Sequence, residues 1–489
     1  MGGMGMDAGG EALALLPELL LLLGAVGGLL LGLWTPQAKQ WRVRAFTVLA
    51  CLASAVAATV ALPREAERVF EGVWVVDTTT GVVRITVALG VAVLVLLAGS
   101  SLTGHPRETE AYVLMLLGGI GAVALAASAD LLLLIAAYLL ASVPLYALAG
   151  FAKDARGVEA AMKYYLMGAF VGVLMVVGVA ALVLADGSTS YIDLAVALPD
   201  APAPLLAVGV LGVLAGVAFK AGAVPVHFWV PDVTAGTTAP MAAYLTTIPK
   251  LGAVAAAFRL LAEPFAALPL DVPLMVALIA AASMTLGNLA AFAQTELLRL
   301  LAYSSVSQVG YLFMVVAVAA RTDLAVPALA VYLVAYAVTN IAAFAAVAAL
   351  PHARTIAEWA QEAGRSRWLV FSLVVCLLGL VGTPPTAVFV GKLAIFAATW
   401  DGGLAWLVVV AAINTVASLF YYLRWIAPAA ASGNAGSSAG EITPRASPGT
   451  VTVTAQKVAG TPAVVLHVAA VASLVLGLGA GWLLLAFPS

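Results

Sequence analysis

Three lysines stand inside long apolar runs of this 489-residue chain: Lys220, Lys250 and Lys392. A lysine at the centre of a membrane helix costs roughly 2.5 to 3.5 kcal/mol on insertion scales, and such residues usually face a protein interior or a hydrated path. A buried amine that loses and regains its proton can store a proton and pass it on. A single lysine near a helix end commonly extends its amine to the membrane surface. Three of them in a chain with only 9% charged residues predict an ion path.

Prolines lie close to all three lysines in the sequence: Pro225 five residues after Lys220, Pro249 directly before Lys250, and Pro384-Pro385 a turn or two before Lys392. Proline removes a helix hydrogen bond and clashes with the preceding turn. We therefore expect the helices that carry Lys220 and Lys392 to break partway across the membrane. We also expect the helix that carries Lys250 to open beside it.

The composition is that of an integral membrane protein. Hydrophobic residues make up 64% of the chain, and the mean hydropathy is +1.10, which excludes a soluble globule. The apolar runs are about 20 residues long, the length of a helix that crosses a bilayer, so the spans are predicted to be helical. The two cysteines stand far apart, and the sequence has no phosphate-binding loop, HExxH or cysteine cluster. We expect no cofactor and no metal in this chain.

Fourteen spans are predicted, near residues 12–33, 43–62, 82–101, 111–128, 130–150, 159–185, 203–226, 238–262, 271–293, 300–320, 324–350, 368–399, 403–426 and 462–486. We expect spans 4–8 and 9–13 to form two five-helix repeats, with spans 7 and 12 as their broken members. An odd number of helices per repeat inverts the second copy. The expected division is three N-terminal helices (1–110), a first repeat (111–262), a second repeat (263–427), a flexible Gly/Ser-rich cytoplasmic linker (428–461) and a C-terminal helix (462–489).

The distribution of positive charge predicts the orientation. Fourteen Lys and Arg residues lie in or beside the odd-numbered loops, and five, including Arg84 and Arg259, lie in or beside the even-numbered loops. Positive charge collects on the cytoplasmic side, so both termini are expected outside. Glu18, in the first span, has no evident partner in the sequence and is interpreted as an interfacial or subunit contact.

Four sequence blocks carry a resemblance to a known family: FKAGAVPVHFWVPDVTAGTTAP, PKLGAVAAAFRL, AQTELLRLLAYSSVSQVGYL and GLVGTPPTAVFVGKLAIF. In order and spacing they resemble subunit N of bacterial respiratory complex I, the NADH:quinone oxidoreductase. That subunit is related to mitochondrial NADH dehydrogenase subunit 2 and to subunits of multisubunit sodium/proton antiporters. The pair Gly391-Lys392 favours subunit N over its sister subunit M, which carries glutamate at the equivalent place.

The resemblance implies a role for each lysine. Lys220 belongs to an input half-channel, Lys250 to the centre of the path and Lys392 to the exit side, while His227 and Lys163 match further polar positions near that path. The implied function is proton translocation driven by quinone reduction in other subunits. NADH, FMN, iron–sulfur clusters and quinone bind in those subunits. The implied partners are subunits K and M, membrane lipid and protons, with no nucleic acid, in the bacterial plasma membrane.

Two departures from the family pattern bear on the mechanism. Leu139 occupies the place of a glutamate that pairs with the span-7 lysine, and Gln308 occupies the place of a histidine. Both replacements remove groups that tune proton transfer. Two alternatives therefore stay open: a subunit of a free-standing multisubunit cation/proton antiporter, or a complex I subunit with weakened pumping and a mainly structural role.

Overall fold

The structure, a computed structural model, describes residues 8–62, 66–364, 366–438 and 460–479. Apart from one small hairpin, the regular elements among these residues are helices, which confirms the predicted all-α membrane class. The described residues contain 13 helices long and apolar enough to cross a membrane. One of them, Leu131–Ala149, is irregular near its middle and consists of two consecutive helices. The remaining predicted span, 368–399, is divided between two shorter helices.

The N-terminal part comprises α1 (Ala8–Ala14), α2 (Leu16–Trp34), α3 (Trp41–Val60), the strands β1 (Glu67–Val69) and β2 (Trp74–Val76), and α4 (Thr78–Leu102). The two strands pair antiparallel, with Glu67 opposite Val76. This hairpin was not predicted, because three-residue strands give no periodic pattern that a sequence can show. Asp77 caps α4 by accepting a hydrogen bond from the backbone N–H of Thr80.

The next eight helices are α5 (Glu108–Ala127), α6 (Leu131–Leu140), α7 (Val143–Ala149), α8 (Ala155–Asp186), α9 (Tyr191–Ala197), α10 (Ala203–Ala221), α11 (Trp229–Gly236) and α12 (Ala239–Ala262). They are followed by α13 (Val272–Phe292), α14 (Leu297–Ala317), α15 (Ala325–Ala349), α16 (Ile356–Ala363), α17 (Arg367–Val381), α18 (Ala387–Asp401), α19 (Ala405–Ser438) and α20 (Gly460–Leu478). Helix α19 continues through Pro428 into the predicted linker. Residues 439–459 of that linker lie outside the described residues.

Spans 7 and 12 are interrupted, as predicted, and both interruptions begin at a glycine. Helix α10 ends at Gly222 (φ 77°) and α17 ends at Gly382 (φ 87°), both in the left-handed region that glycine adopts without steric cost. The helices therefore end before Pro225 and Pro384, which lie in the segments that follow. The expected opening at Pro249 is wrong, because α12 runs through this proline without interruption.

The two sets of helices share a second feature. Asp130, which precedes α6, forms an antiparallel bridge with Ser190, and Glu296, which precedes α14, forms one with Thr355. In each set, the residue before the second span thus pairs with a residue that follows the third. This correspondence and the paired glycine breaks fit two copies of one five-span unit.

The core of the bundle is formed by α12, α14 and α15, in which nearly every residue is buried. Helices α2, α3 and α20 expose most of their apolar side chains, as helices that face lipid do. Lys250 therefore lies on one of the most enclosed helices of the chain.

Candidate functional site

The three lysine amines lie in the interior of the bundle. Lys220 and Lys250 are 0% exposed and Lys392 is 2% exposed. Among the described residues, none of the three forms a salt bridge. Their hydrogen-bond partners are neutral oxygens, which sets them apart from the other buried cations of the chain.

Lys220 lies in the last turn of α10 and points to the interruption between α6 and α7. Its Nζ donates to the carbonyl oxygen of Ala141 at 3.1 Å, and it lies 5.2 Å from the ring centroid of Tyr138 and 5.7 Å from that of Tyr164. Ring faces attract cations. The side chain of Leu139 is 52% exposed on the outside of the bundle, so it does not line this pocket.

His227 lies in the segment between α10 and α11. It is buried, and its Nδ1 has no hydrogen-bond partner among the described residues. The same segment is tied to α13, because the backbone N–H of Val224 donates to Ser283 Oγ at 2.9 Å. The structure thus places His227 at the broken part of span 7, with one ring nitrogen available.

Lys250 faces α14 from the middle of α12. Its Nζ donates to Ser305 Oγ at 2.9 Å and lies 3.4 Å from the Ser305 carbonyl oxygen. A β-carbon on Gly222 would lie 3.3 Å from Nζ, so the amine rests against the break in span 7. The central lysine therefore contacts both the first set of helices and α14, the second helix of the other set.

Polar side chains on α14 continue from Ser305 toward the second break. Ser304 Oγ lies 2.5 Å from the hydroxyl of Tyr422, and Gln308 Nε2 donates to the Leu380 carbonyl at 2.8 Å. Tyr332 donates its hydroxyl hydrogen to Gln308 Oε1. Gln308 follows Ser304 by four positions and Ser305 by three, so it lies on the same side of the helix as both. Ser304 and Ser305 were not singled out from the sequence, although hydroxyl groups near Gln308 on an otherwise apolar helix were a visible signal.

Lys392 lies at the second break. Its Nζ donates to the Val381 carbonyl at 2.9 Å and to Thr415 Oγ1 at 3.3 Å, and it lies 3.9 Å from the ring centroid of Tyr311. The carbonyls of Leu380 and Val381 are neighbours in the chain, so Gln308 and Lys392 bind adjacent groups at the end of α17. Gln308 thus connects α14 to the Lys392 site through neutral hydrogen bonds.

Lys163 has a different environment. Its Nζ lies 2.8 Å from Asp232 and 2.8 Å from Glu159, and Arg299 binds the other oxygen of Asp232 at 3.1 Å. The Lys163 side chain is 40% exposed. The structure therefore places Lys163 in an ion-pair cluster that joins α8, α11 and α14, apart from the buried lysines. Asp232, near the start of α11, and Arg299, near the start of α14, complete this cluster.

Other buried charges are paired. Arg84 Nε donates to Glu18 Oε1 at 2.6 Å, which corrects the interpretation of Glu18 as an unpaired interfacial residue. Arg259 Nη2 lies 2.9 Å from Asp77 Oδ2. Both arginines are buried within helices. The count of Lys and Arg residues from the sequence had placed both of them in or beside the even-numbered loops. Paired charges of this kind hold helices together, because breaking such a pair leaves an uncompensated charge.

No group of three or more His, Cys, Asp or Glu residues in the described part of the chain is arranged to hold a metal ion. Both cysteines are free and buried.

Comparisons with known proteins agree with this architecture. A family model for the transmembrane region of NADH:quinone oxidoreductase and Mrp antiporter proteins matches residues 128–418. The chain is 55% identical to NADH-quinone oxidoreductase subunit N 1 of Streptomyces griseus over 87% of this chain and 90% of that protein. It is 48% identical to NADH-quinone oxidoreductase subunit N of a Mycobacterium species over 84% of this chain and 87% of that protein.

Solved structures show the same relationship. A chain of respiratory complex I from Thermus thermophilus with bound aureothin superposes with a TM-score of 0.77 at 30% identity, over 96% of this chain and 98% of that chain. A chain of the Mrp complex from a Dietzia species superposes with a TM-score of 0.78 at 20% identity, over 97% and 95% of the two chains, which shows a shared fold. The chain therefore belongs to the NADH:quinone oxidoreductase/Mrp antiporter transmembrane family, and within it to the subunit N proteins.

Proposed function

We propose that this chain translocates protons within NADH:quinone oxidoreductase, along a path from Lys220 to Lys250 and on to Lys392. The observation that carries the proposal is the burial of three lysine amines that bind neutral oxygens. A carboxylate at hydrogen-bond distance would favour the charged amine strongly, whereas a carbonyl or hydroxyl favours it less. Each site can therefore hold or release a proton.

The break in span 7 couples the first two sites. Lys220 is two residues from Gly222, and the Lys250 amine rests against that glycine. Like charges repel more strongly in a medium of low dielectric constant than in water. A proton on Lys220 therefore disfavours a proton on Lys250, so loading one site promotes release from the other. His227, in the same segment, offers its free ring nitrogen to water on this route.

The polar side of α14 links the centre to the second break. Ser305 holds the Lys250 amine, and Gln308 reaches the carbonyl next to the one that Lys392 binds. Hydroxyl and amide groups both donate and accept hydrogen bonds, so they can order water between the two lysines. We propose that Gln308 orders such water and does not itself take up a proton.

In this proposal the chain carries no redox group and acts as a translocase subunit. NADH, FMN, iron–sulfur clusters and quinone bind in other subunits, and quinone reduction there supplies the energy. We propose subunits K and M as the neighbours of this chain in the membrane arm. We place the chain in the bacterial plasma membrane.

The orientation proposal rests on positive charge. Of the five Lys and Arg residues assigned to the even-numbered loops, Arg84 and Arg259 are buried in helices and paired with acids. Three Lys and Arg residues then remain for the even-numbered loops, against fourteen assigned to the odd-numbered loops. This difference supports a cytoplasmic location for the odd-numbered loops and an outer location for both termini.

One observation favours a weaker input site at Lys220. Its amine binds one carbonyl and two ring faces, and the side chain of Leu139 points out of the bundle. A charged amine in this position lacks the carboxylate that the family pattern would supply. We therefore propose that Lys220 contributes less to pumping here than Lys250 does.

The proposed function is tested with Lys250→Ala in the assembled complex. Membrane vesicles are given NADH, and proton movement and quinone reduction are measured together. We expect a lower ratio of protons to electrons with all subunits present. The control is Lys39→Ala, an exposed lysine outside the bundle core, which should leave the ratio unchanged. An unchanged ratio in Lys250→Ala with full assembly would remove Lys250 from the path. Failure of this chain to purify with other complex I subunits would favour a free-standing antiporter.

A further inference from the structure

A cavity of about 370 Å³ lies where α12 begins and α15 ends. Pro240 of α12 and Val347 of α15 contribute to its lining, together with residues at the start of α14 and the end of α4. The loops at this end are the ones that carry the excess of positive charge, so the cavity faces the proposed cytoplasmic side. Nothing in the proposed Lys220 route uses this cavity.

Helix geometry aligns the cavity with the central lysine. Thr247 follows Pro240 by seven residues, and Asn340 precedes Val347 by seven. Seven residues are close to two full turns, so in each helix the deeper residue lies on the same face as the cavity residue, about 10 Å further in. Lys250 is three residues beyond Thr247 and shares that side of α12.

A buried polar cluster occupies this deeper level. Asn340 Nδ2 donates to Thr247 Oγ1 at 2.8 Å and to Thr246 Oγ1 at 3.3 Å, and the hydroxyl of Tyr336 donates to the Thr246 carbonyl at 2.7 Å. Asn340 is 0% exposed, and its Oδ1 has no hydrogen-bond partner among the described residues. A buried acceptor without a donor is unfavourable, and an ordered water is the usual way to satisfy it.

Pro249 adds a second acceptor near this level. Because proline has no N–H, the carbonyl of Leu245, one turn earlier in α12, lacks its usual helical donor. Between the cavity and the cluster, the two faces carry the small residues Ala243 and Ala343, beside the bulky Tyr244 and Phe344. The Tyr244 hydroxyl is turned toward α5, where it donates to the Met115 carbonyl. The unpartnered oxygen of Asn340, these alanines and the cavity thus follow one another along the same helix pair.

We propose that water enters from this cavity between α12 and α15 and reaches Lys250 past Asn340 and Thr247. The central lysine then receives protons directly from the cytoplasmic side, without passing through Lys220. Asn340 is a positioning residue in this scheme: its free oxygen holds the water, and it takes up no proton. The inference rests on the proposed proton path and explains how pumping continues when the Lys220 site lacks a carboxylate.

Thiol labelling tests this water inlet between α12 and α15 without a measurement of pumping. Asn340→Cys is compared with Asn414→Cys, a buried asparagine that joins α19 to α13 through Asn288. Both are made with Cys51 and Cys376 replaced by alanine, in the assembled complex in inside-out vesicles. A small charged methanethiosulfonate is added, and this chain is analysed by mass spectrometry. We expect labelling at position 340 and none at 414. Absence of labelling at 340, or equal labelling at both, overturns the inlet.

Pumping measurements supply the second readout. Asn340→Leu replaces the amide with an apolar side chain of similar shape and should lower the proton-to-electron ratio several-fold, whereas Asn340→Ser keeps a group that binds water and should retain most of it. Asn414→Leu should leave the ratio near that of the unmodified complex. Equal losses in Asn340→Leu and Asn340→Ser, or in Asn340→Leu and Asn414→Leu, contradict the inlet. Normal pumping by Lys250→Ala would instead contradict the proposed function, since labelling at position 340 does not depend on it.

Discussion

The Lys250 amine rests against Gly222, the residue at which the helix that carries Lys220 ends. A β-carbon on Gly222 would lie 3.3 Å from Lys250 Nζ and 2.8 Å from Val230 Cγ2. The glycine thus meets two requirements at once: it adopts the left-handed conformation that ends α10, and it leaves room for the amine of the central lysine.

Gly222→Ala is expected to lower pumping as well as stability. A left-handed conformation costs an alanine roughly 1 to 2 kcal/mol, and here the methyl group also crowds Val230 and displaces the Lys250 amine. Gly187→Ala is the matched control, because Gly187 ends α8 in the same conformation (φ 85°) with no atom within 4 Å of the added carbon. We expect both variants to unfold at lower temperature and only Gly222→Ala to lower the proton-to-electron ratio. Equal ratios in the two variants would show that the contact with Lys250 does not matter.

Ser305→Ala is expected to lower pumping with little effect on assembly. It removes the hydroxyl that accepts from Lys250 at 2.9 Å, and a hydrogen bond to a charged group contributes about 1.5 to 3 kcal/mol. Ser305→Thr keeps the hydroxyl and should retain most of the activity. Ser307→Ala on the same helix serves as a control, because its hydroxyl has no partner among the described residues. The idea fails if Ser305→Ala and Ser307→Ala pump equally well.

Lys220→Met should lower the proton-to-electron ratio less than Lys250→Ala does, because Lys220 lacks a carboxylate partner among the described residues. From the sequence alone, Leu139→Glu is expected to restore that partner. Because the side chain at position 139 is exposed, a glutamate there should face outward, and we expect little change in the proton-to-electron ratio of this variant. A loss in Lys220→Met as complete as in Lys250→Ala, measured in the same vesicles, would show that Lys220 is a full input site.

The topology predicts which loops an external reagent reaches. Asp200→Cys lies in the loop before α10, on the proposed outer side, and is exposed. Ser447→Cys lies between α19 and α20, on the proposed cytoplasmic side. An impermeant maleimide added to intact cells should label the first and miss the second, and the native thiols should stay unlabelled because both are buried. The reverse labelling pattern would invert the orientation.

Much of the fold could be predicted from local features of the sequence. Each membrane helix must satisfy its own backbone hydrogen bonds, so a span appears in the sequence as a run of about 20 apolar residues. The breaks in spans 7 and 12 were predictable for a similar reason, because glycine and proline act on the backbone of their own turn. The expectation that a proline interrupts its own helix was wrong at Pro249, where α12 continues. Neighbouring helices enclose this part of α12 on all sides, and such packing holds a helix together through a proline.

The sequence by itself determined the class of protein, the three lysines in its interior and its family, since these depend on residue types and on blocks of contiguous residues. Only the tertiary structure decided what each buried charge binds. Glu18 pairs with Arg84 across 66 residues, and Lys220 binds the carbonyl of Ala141 across 79. The hydrogen bond from Asn340 to Thr247 likewise joins residues that are 93 positions apart. Such contacts depend on how helices pack against one another, and the periodicity of a single helix shows which face is polar but not which partner it meets.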